Sequence, residues 1–88
     1  MARKKKVSFN FRDPGAHEVK LAGNFTNWEN GAIFMTRGRS GEWKTQVALE
    51  PGEYEYKFVA DGQWLPDPAA EEQKKNEQGT ENSVRLVR

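Results

Sequence analysis

The chain has 88 residues, enough for one small domain that needs nearly every apolar side chain for its core, and too few for an elaborate catalytic cleft. Fourteen basic residues against thirteen acidic ones leave a formal charge of +1, which argues against a protein whose main work is gripping a nucleic-acid backbone. Cysteine is absent, so disulfides, thiolate metal sites and cysteine nucleophiles are excluded, and the composition suits a reducing compartment.

Charge is patterned locally at the start, where Arg3-Lys4-Lys5-Lys6 makes residues 1–6 a basic arm ahead of a domain over residues 7–88. Alternation follows the arm in place of a signal peptide's apolar run. No segment reaches the length needed to span a bilayer, so the expectation is a soluble, cytoplasmic protein that does not engage a membrane. From there on, period-two alternation recurs and helical periodicity is almost absent, the pattern of an all-β chain.

Val7, Phe9 and Phe11 alternate with Ser8, Asn10 and Arg12, which predicts a strand from about Lys6 to Arg12, ended by the turn residues Asp13-Pro14-Gly15. Val19, Leu21 and Gly23 repeat the device between His17 and Asn24. Ile33 to Thr36 reads as a short strand, and Arg37-Gly38-Arg39-Ser40-Gly41 as a hairpin loop. Trp43, Thr45, Val47 and Leu49 then share one face of a further strand, which assigns Trp43 to the core. Pro51-Gly52 marks a turn, after which Tyr54, Tyr56 and Phe58 face one side and Glu55, Lys57 and Val59 the other. Asp61-Gly62 suits a type I′ turn, so Gln63-Trp64-Leu65 folds back as a short strand. Pro66 to Gly79 is polar and carries no apolar stripe. Asp67 and Pro68 fit the cap and first position of a single helical turn, and the rest reads as a long exposed loop, a candidate lip for a binding site. Asn82 to Val87 supplies the last strand, with Val84 and Leu86 inward.

About seven short strands separated by Gly, Pro and Asp turns fit a two-sheet antiparallel sandwich of immunoglobulin-like character. A small barrel fits the same alternation, because both architectures bury one face of each strand.

Taken alone, most of the conspicuous residues have ordinary structural readings. Trp28 covers a sandwich edge, Lys57 is a solvated strand lysine, Asp61 and Asp67 are turn residues, and His17, the one histidine, lies on an exposed strand without a second ligand nearby. Two indoles and a cation, Trp28, Trp64 and Lys57, nevertheless stand where one surface can hold all three.

Five segments carry a resemblance: Leu21-Ala22-Gly23-Asn24-Phe25-Thr26-Asn27-Trp28, Gly41-Glu42-Trp43, the run from Leu49 to Trp64, Asp67-Pro68, and Gly79-Thr80-Glu81-Asn82-Ser83-Val84. In order and spacing they resemble the glycogen-binding domain of the AMP-activated protein kinase β subunit and its relatives at the front of branching and debranching enzymes, carbohydrate-binding module family 48. The resemblance covers residues 7 to 87. It implies an early-set, immunoglobulin-like β-sandwich that binds α-1,4-linked glucans such as glycogen or starch. It also implies a pocket made here by Trp28, Lys57, Trp64, Thr80 and Asn82. Gln78 is a sixth candidate and a departure, since the kinase domain's loop has at that place a leucine that projects toward the sugar.

The chemistry suits such a ligand. The apolar C–H face of a pyranose lies flat on an indole, which offers a large rigid surface at small entropic cost, while Lys57 and Asn82 supply hydrogen bonds to hydroxyl rims. At about 25 cal/mol per Å² of apolar area, two stacked sugars imply a dissociation constant on the order of micromolar to millimolar. The expected ligand is an α-glucan polysaccharide or malto-oligosaccharide, without cofactor or metal, and the expected protein partner is a glucan-processing enzyme or a kinase. Catalysis is not expected: glycoside hydrolysis needs two carboxylates flanking the scissile bond, and Glu71 and Glu72 fall in the loop. The alternative is an immunoglobulin-like protein-interaction or adaptor domain whose exposed aromatics dock a partner, with sugar binding weak or lost. Nucleic-acid binding through the arm and stacked bases ranks below both, because the aromatics are not interleaved with basic residues.

Overall fold

Alternating apolar and polar residues, with β-branched and aromatic side chains on the apolar positions, favour strands that bury one face each, and such strands need a second layer to cover that face. The computed structural model describes residues 3–88. Met1 and Ala2 of the expected basic arm lie outside the described residues. Among the described residues nine strands run in the order β1 (Lys5–Arg12), β2 (Val19–Gly23), β3 (Ile33–Phe34), β4 (Thr36–Arg37), β5 (Glu42–Leu49), β6 (Gly52–Ala60), β7 (Gln63–Leu65), β8 (Glu72–Lys75) and β9 (Glu81–Val87). No α-helix occurs among the described residues, and a 3-10 turn covers Trp28–Gly31.

All pairings are antiparallel and fall into two sheets, one ordered β1-β5-β4 and a six-stranded one ordered β3-β2-β6-β9-β8, with β7 beside β6. The molecule is therefore an immunoglobulin-like sandwich and not a closed barrel. Between the sheets Phe9, Val19, Leu21, Trp43, Tyr56 and Phe58 form a buried core. Phe9 packs edge-on against Tyr56, with ring centroids 5.0 Å apart, and Phe11 lies 4.6 Å from Phe58. The Trp43 indole fills its core position and donates its N–H to the Asp13 carbonyl at 3.0 Å, so its one polar atom is paired.

Several expectations are corrected by the register. The predicted strand over Ile33 to Thr36 is two strands: β3 pairs with β2 in the larger sheet and β4 pairs with β5 in the smaller, so the chain changes sheets at the buried Met35. His17 precedes β2 and does not lie on a strand. Its backbone N–H and that of Glu18 both donate to the Asp61 carboxylate at 2.9 Å, tying the β6–β7 turn to the start of β2. Desolvation alone would raise the Asp61 pKa, but these N–H donors and the His17 side chain hold it below the usual carboxylate range. That turn has φ of 49° at Asp61 and 82° at Gly62, the two left-handed residues of a type I′ turn, as expected.

The segment Pro66 to Gly79 is not one long loop. Residues Glu72–Lys75 within it form β8, which hydrogen-bonds to β9 with Lys74 opposite Asn82 and Gln73 opposite Ser83. Glu72 thus begins a strand. The Glu-Gln-Lys-Lys sequence carries no apolar alternation, yet it suits an edge strand, where charged side chains discourage further pairing. Asp67 is buried rather than a surface turn residue. It accepts the Tyr56 hydroxyl at 2.6 Å and the Ala69 N–H at 2.9 Å, and its own N–H donates to Ser83 Oγ at 2.7 Å. The Ala69 bond caps a single turn, and no helix follows. Burial, then the bond to Asp67 and its charge, push the Tyr56 hydroxyl far above its ordinary pKa.

Leu86 is not inward. Opposite Tyr54 and Tyr56 on the core face stand Arg85 and Ser83, while Val84 pairs with Glu55 and Leu86 with Glu53 on the outer face. Leu86 is accordingly exposed, and Val84, although outward, is buried. Arg85 can take a core-facing position because its guanidinium lies over the Phe9 ring at 5.1 Å and donates to the Ser8 carbonyl at 2.9 Å. Val87, at the end of β9, is the apolar residue that does turn inward.

Candidate functional site

Opposed residues in an antiparallel ladder share a face, so the register maps the outer surface of the larger sheet. Lys57 pairs with Ala22, Val59 pairs with both Lys20 and Trp64, and Asn82 pairs with Lys74. This face is where alternation fails: Tyr56 to Ala60 are buried without a break, so β6 is covered on both sides.

The outer face holds a depression with a volume of about 740 Å³, lined by Trp28, Lys57, Trp64, Asn76, Glu77, Gln78, Thr80 and Asn82. All six residues singled out from the sequence are therefore brought together, from four separate parts of the chain. The size is that of ordinary ligand sites.

Trp28 is placed by a strained turn. The chain leaves β2 at Gly23, and Asn27 and Trp28 both adopt left-handed conformations, with φ of 57° and 54°. Asn tolerates this region, but Trp does so rarely, and such strain costs on the order of 1–3 kcal/mol unless neighbours enforce it. Thr26 is the enforcer: its hydroxyl accepts the Gly23 N–H at 3.0 Å and lies 2.8 Å from the Trp28 carbonyl. Gly31 closes the turn because a Cβ there would stand 2.1 Å from the Thr26 carbonyl oxygen.

Trp64 comes from the tight turn after β6, which sets β7 antiparallel beside it and stands the indole next to Val59. It remains 39% exposed, an apolar plate that the fold leaves in water. Lys57, by contrast, is buried, and among the described residues no carboxylate lies within ion-pairing distance of it. A buried cation needs polar partners. The one it has is neutral: Nζ donates to Thr80 Oγ1 at 2.8 Å, which leaves two further ammonium donors toward the depression.

The β8–β9 hairpin loop completes the wall. Asn76, which the sequence reading did not single out, organises it. Its side-chain carbonyl accepts the N–H groups of Gln78 and Thr80, both at 3.1 Å, and its amide donates to Thr80 Oγ1 at 2.7 Å and to Asn82 Oδ1 at 3.1 Å. Asn82 in turn donates to Glu55 at 3.1 Å. The polar chain Lys57–Thr80–Asn76–Asn82–Glu55 thus runs continuously, and among the described residues no buried side-chain polar atom lacks a partner. An Asn three residues ahead of a left-handed Gly79 in a short polar connection was the available signal, since Asn bonds its own following backbone in such turns. Glu77, also missed, is the single carboxylate lining the depression.

A rigid pair of apolar plates ringed by an ammonium, amides and a hydroxyl suits a neutral ligand with apolar faces and hydroxyl edges. Among the described residues no cluster of side chains is arranged to hold a metal ion.

The family model described as the glycogen recognition site of AMP-activated protein kinase matches residues 5–88. Over 74 residues, 84% of this chain, the sequence is 36% identical to the 5′-AMP-activated protein kinase subunit β-1 of Sus scrofa. Over 53 residues, 60% of the chain, it is 42% identical to Protein PTST homolog 2, chloroplastic, of Arabidopsis thaliana. The chain spans 57% and 10% of the lengths of those two relatives. Among solved structures, the maltogenic amylase from S. marinus superposes on 97% of this chain with a TM-score of 0.79 at 24% identity, a likeness of fold that involves 14% of that enzyme.

Proposed function

The chain belongs to the family of AMP-activated protein kinase glycogen-recognition domains, and on that premise we propose that it is a non-catalytic module binding α-1,4-linked glucans through the depression on the larger sheet. The observation that carries the reading is the convergence of Trp28, Trp64, Lys57, Gln78, Thr80 and Asn82 around one depression. The indoles stack on the apolar faces of successive glucose units, and Lys57 and Asn82 bond their hydroxyl rims. Gln78, at the tip of the hairpin, gives the lip an amide that bonds hydroxyls in place of an apolar contact. Binding without hydrolysis accords with the lining, because Glu77 is one carboxylate where glycoside cleavage needs two flanking the bond.

Weak individual contacts suit a polymer, on which neighbouring glucose units raise the effective concentration for rebinding. A kinase or a glucan-processing enzyme is the partner this reading favours, brought to storage glucan by the module. The kinase subunit among its relatives supports the first of these.

The test is a titration with maltoheptaose and β-cyclodextrin, with cellohexaose as control, followed by tryptophan fluorescence and amide NMR shifts. Saturable changes with the two α-glucans alone, centred on Trp28, Lys57, Trp64 and Asn82 and insensitive to salt, are expected. Silence at millimolar sugar would sink the reading and turn attention to protein partners. A steep loss with salt would instead indicate a phosphate-bearing ligand.

A further inference from the structure

Among the described residues, three large apolar side chains are exposed: Phe34 at 67%, Leu86 at 44% and Trp64 at 39%. The register puts all three on the outer face of the six-stranded sheet. Trp64 lines the depression and Leu86 lies opposite Glu53 toward the start of β6. Phe34, the most exposed, is not among the residues lining the depression.

Phe34 on β3 stands opposite Lys20, Lys20 opposite Val59, and Val59 opposite Trp64. Phe34 and Trp64 are therefore the two ends of one cross-strand row, separated by three strand spacings, about 14 Å. Between them the row holds Val59, which is buried, and the half-buried Lys20, whose methylene stem is the part of the row left at the surface. Lys20 Nζ lies 5.8 Å from the Phe34 ring centroid. Phe34 thus stands next to a lysine ammonium that among the described residues has no ion-pair partner, and the depression likewise has aromatic plates and such a lysine in its lining.

We propose that Phe34, with Lys20, is a second contact point for the same glucan chain, reached by sugars several units beyond those held between Trp28 and Trp64. The inference rests on the glucan-binding reading above. A short oligosaccharide occupies the depression alone. A longer one crosses β6 and β2 and lays a further pyranose on the Phe34 ring, with Lys20 donating to its hydroxyls. Selection for chain length then follows from the spacing of two plates on one rigid sheet.

Dissociation constants of the wild type, Phe34→Ala and Phe34→Trp for maltotriose and for maltoheptaose test this, with NMR spectra reporting the fold. Phe34→Ala is expected to leave maltotriose affinity unchanged and to weaken maltoheptaose by about three- to tenfold, the value of one exposed aromatic contact. Phe34→Trp, with the larger plate, is expected to tighten maltoheptaose alone. Equal loss for both sugars overturns the inference, because Phe34 would then belong to the depression itself, and so does an unchanged maltoheptaose affinity in both variants. Self-association of the wild type that disappears in Phe34→Ala, with sugar affinities unaltered, also overturns it by assigning Phe34 to contacts between copies. Failure of the wild type to bind either sugar would remove the glucan reading itself, a result distinct from wild-type binding that Phe34 does not influence.

Discussion

On the outer face of the smaller sheet, Ser8, Asn10, Lys44, Gln46 and Ala48 are exposed, and each alternates along its strand with a neighbour turned toward the core. On the outer face of the larger sheet, Ala22, Lys57, Val59, Asn82 and Val84 are buried. The first face obeys the simple rule of a two-layer sandwich, polar out and apolar in. The second breaks it, and the break coincides with the depression and with the exposed aromatics. Burial of Lys57 and Asn82 on a face that should be wet is a costly arrangement unless every polar atom is paired, and the hairpin network pairs them. A sandwich thus advertises its site on the face where outward positions are buried and polar ones are networked.

The comparison can be broken most directly with tryptophans. Trp43→Ala removes a core indole together with its bond to Asp13, and a loss of about 3–5 kcal/mol in denaturant unfolding is expected, enough to unfold much of so small a domain. Trp64→Ala and Trp28→Ala are expected to keep the fold and lose glucan affinity by about thirtyfold or more, as truncated anchors do, measured by titration with maltoheptaose. If either unfolds like Trp43→Ala, that indole is core and the two faces are more alike than described.

Smaller effects sharpen the contrast. Lys57→Met keeps the stem and removes the ammonium, and about a tenfold weakening of glucan binding is expected, with stability unchanged or improved because a buried charge without a counter-ion is gone. Asn76→Ala, which removes the bonds that order Thr80, Gln78 and Asn82 in the wall, is expected to weaken binding about threefold, and Gln78→Leu to tighten it by a similar factor; calorimetry on the two variants checks both signs. Gln46→Ala, on the simple face, is expected to stay within about 0.5 kcal/mol in stability and to leave glucan titrations unaltered.

Much of this was legible in the chain. Alternation predicted β1, β2, β5 and β6 close to their observed bounds, because the apolar positions repeat every second residue and turn residues stand at the ends, and the Asp61-Gly62 turn predicted β7. It failed at β8, whose Glu-Gln-Lys-Lys run has no apolar face and is held by backbone pairing to β9, by the Gln73 bonds with Asp67 and Ser83, and by the Lys74–Glu53 ion pair. It also misassigned β9, where Asn82, Ser83 and Val84 are all buried and parity has nothing to read. At the site, the indoles and Lys57 stood out by motif, whereas Asn76 did not, since its role is to order a loop through hydrogen bonds with no residue pattern of their own.

Composition, alternation and turn chemistry by themselves determined an all-β domain, its principal strands, the core placement of Trp43 and the residue types suited to a neutral, hydroxyl-rich ligand. Those are local properties, set by the two-residue period of a strand and by which side chains tolerate a turn. Only the tertiary structure decided that Ile33 to Thr36 divides between two sheets, that Leu86 faces outward, and that Phe34 shares a row with Trp64. These depend on the register between strands distant in sequence, and a shift of one residue there would send every side chain to the opposite face.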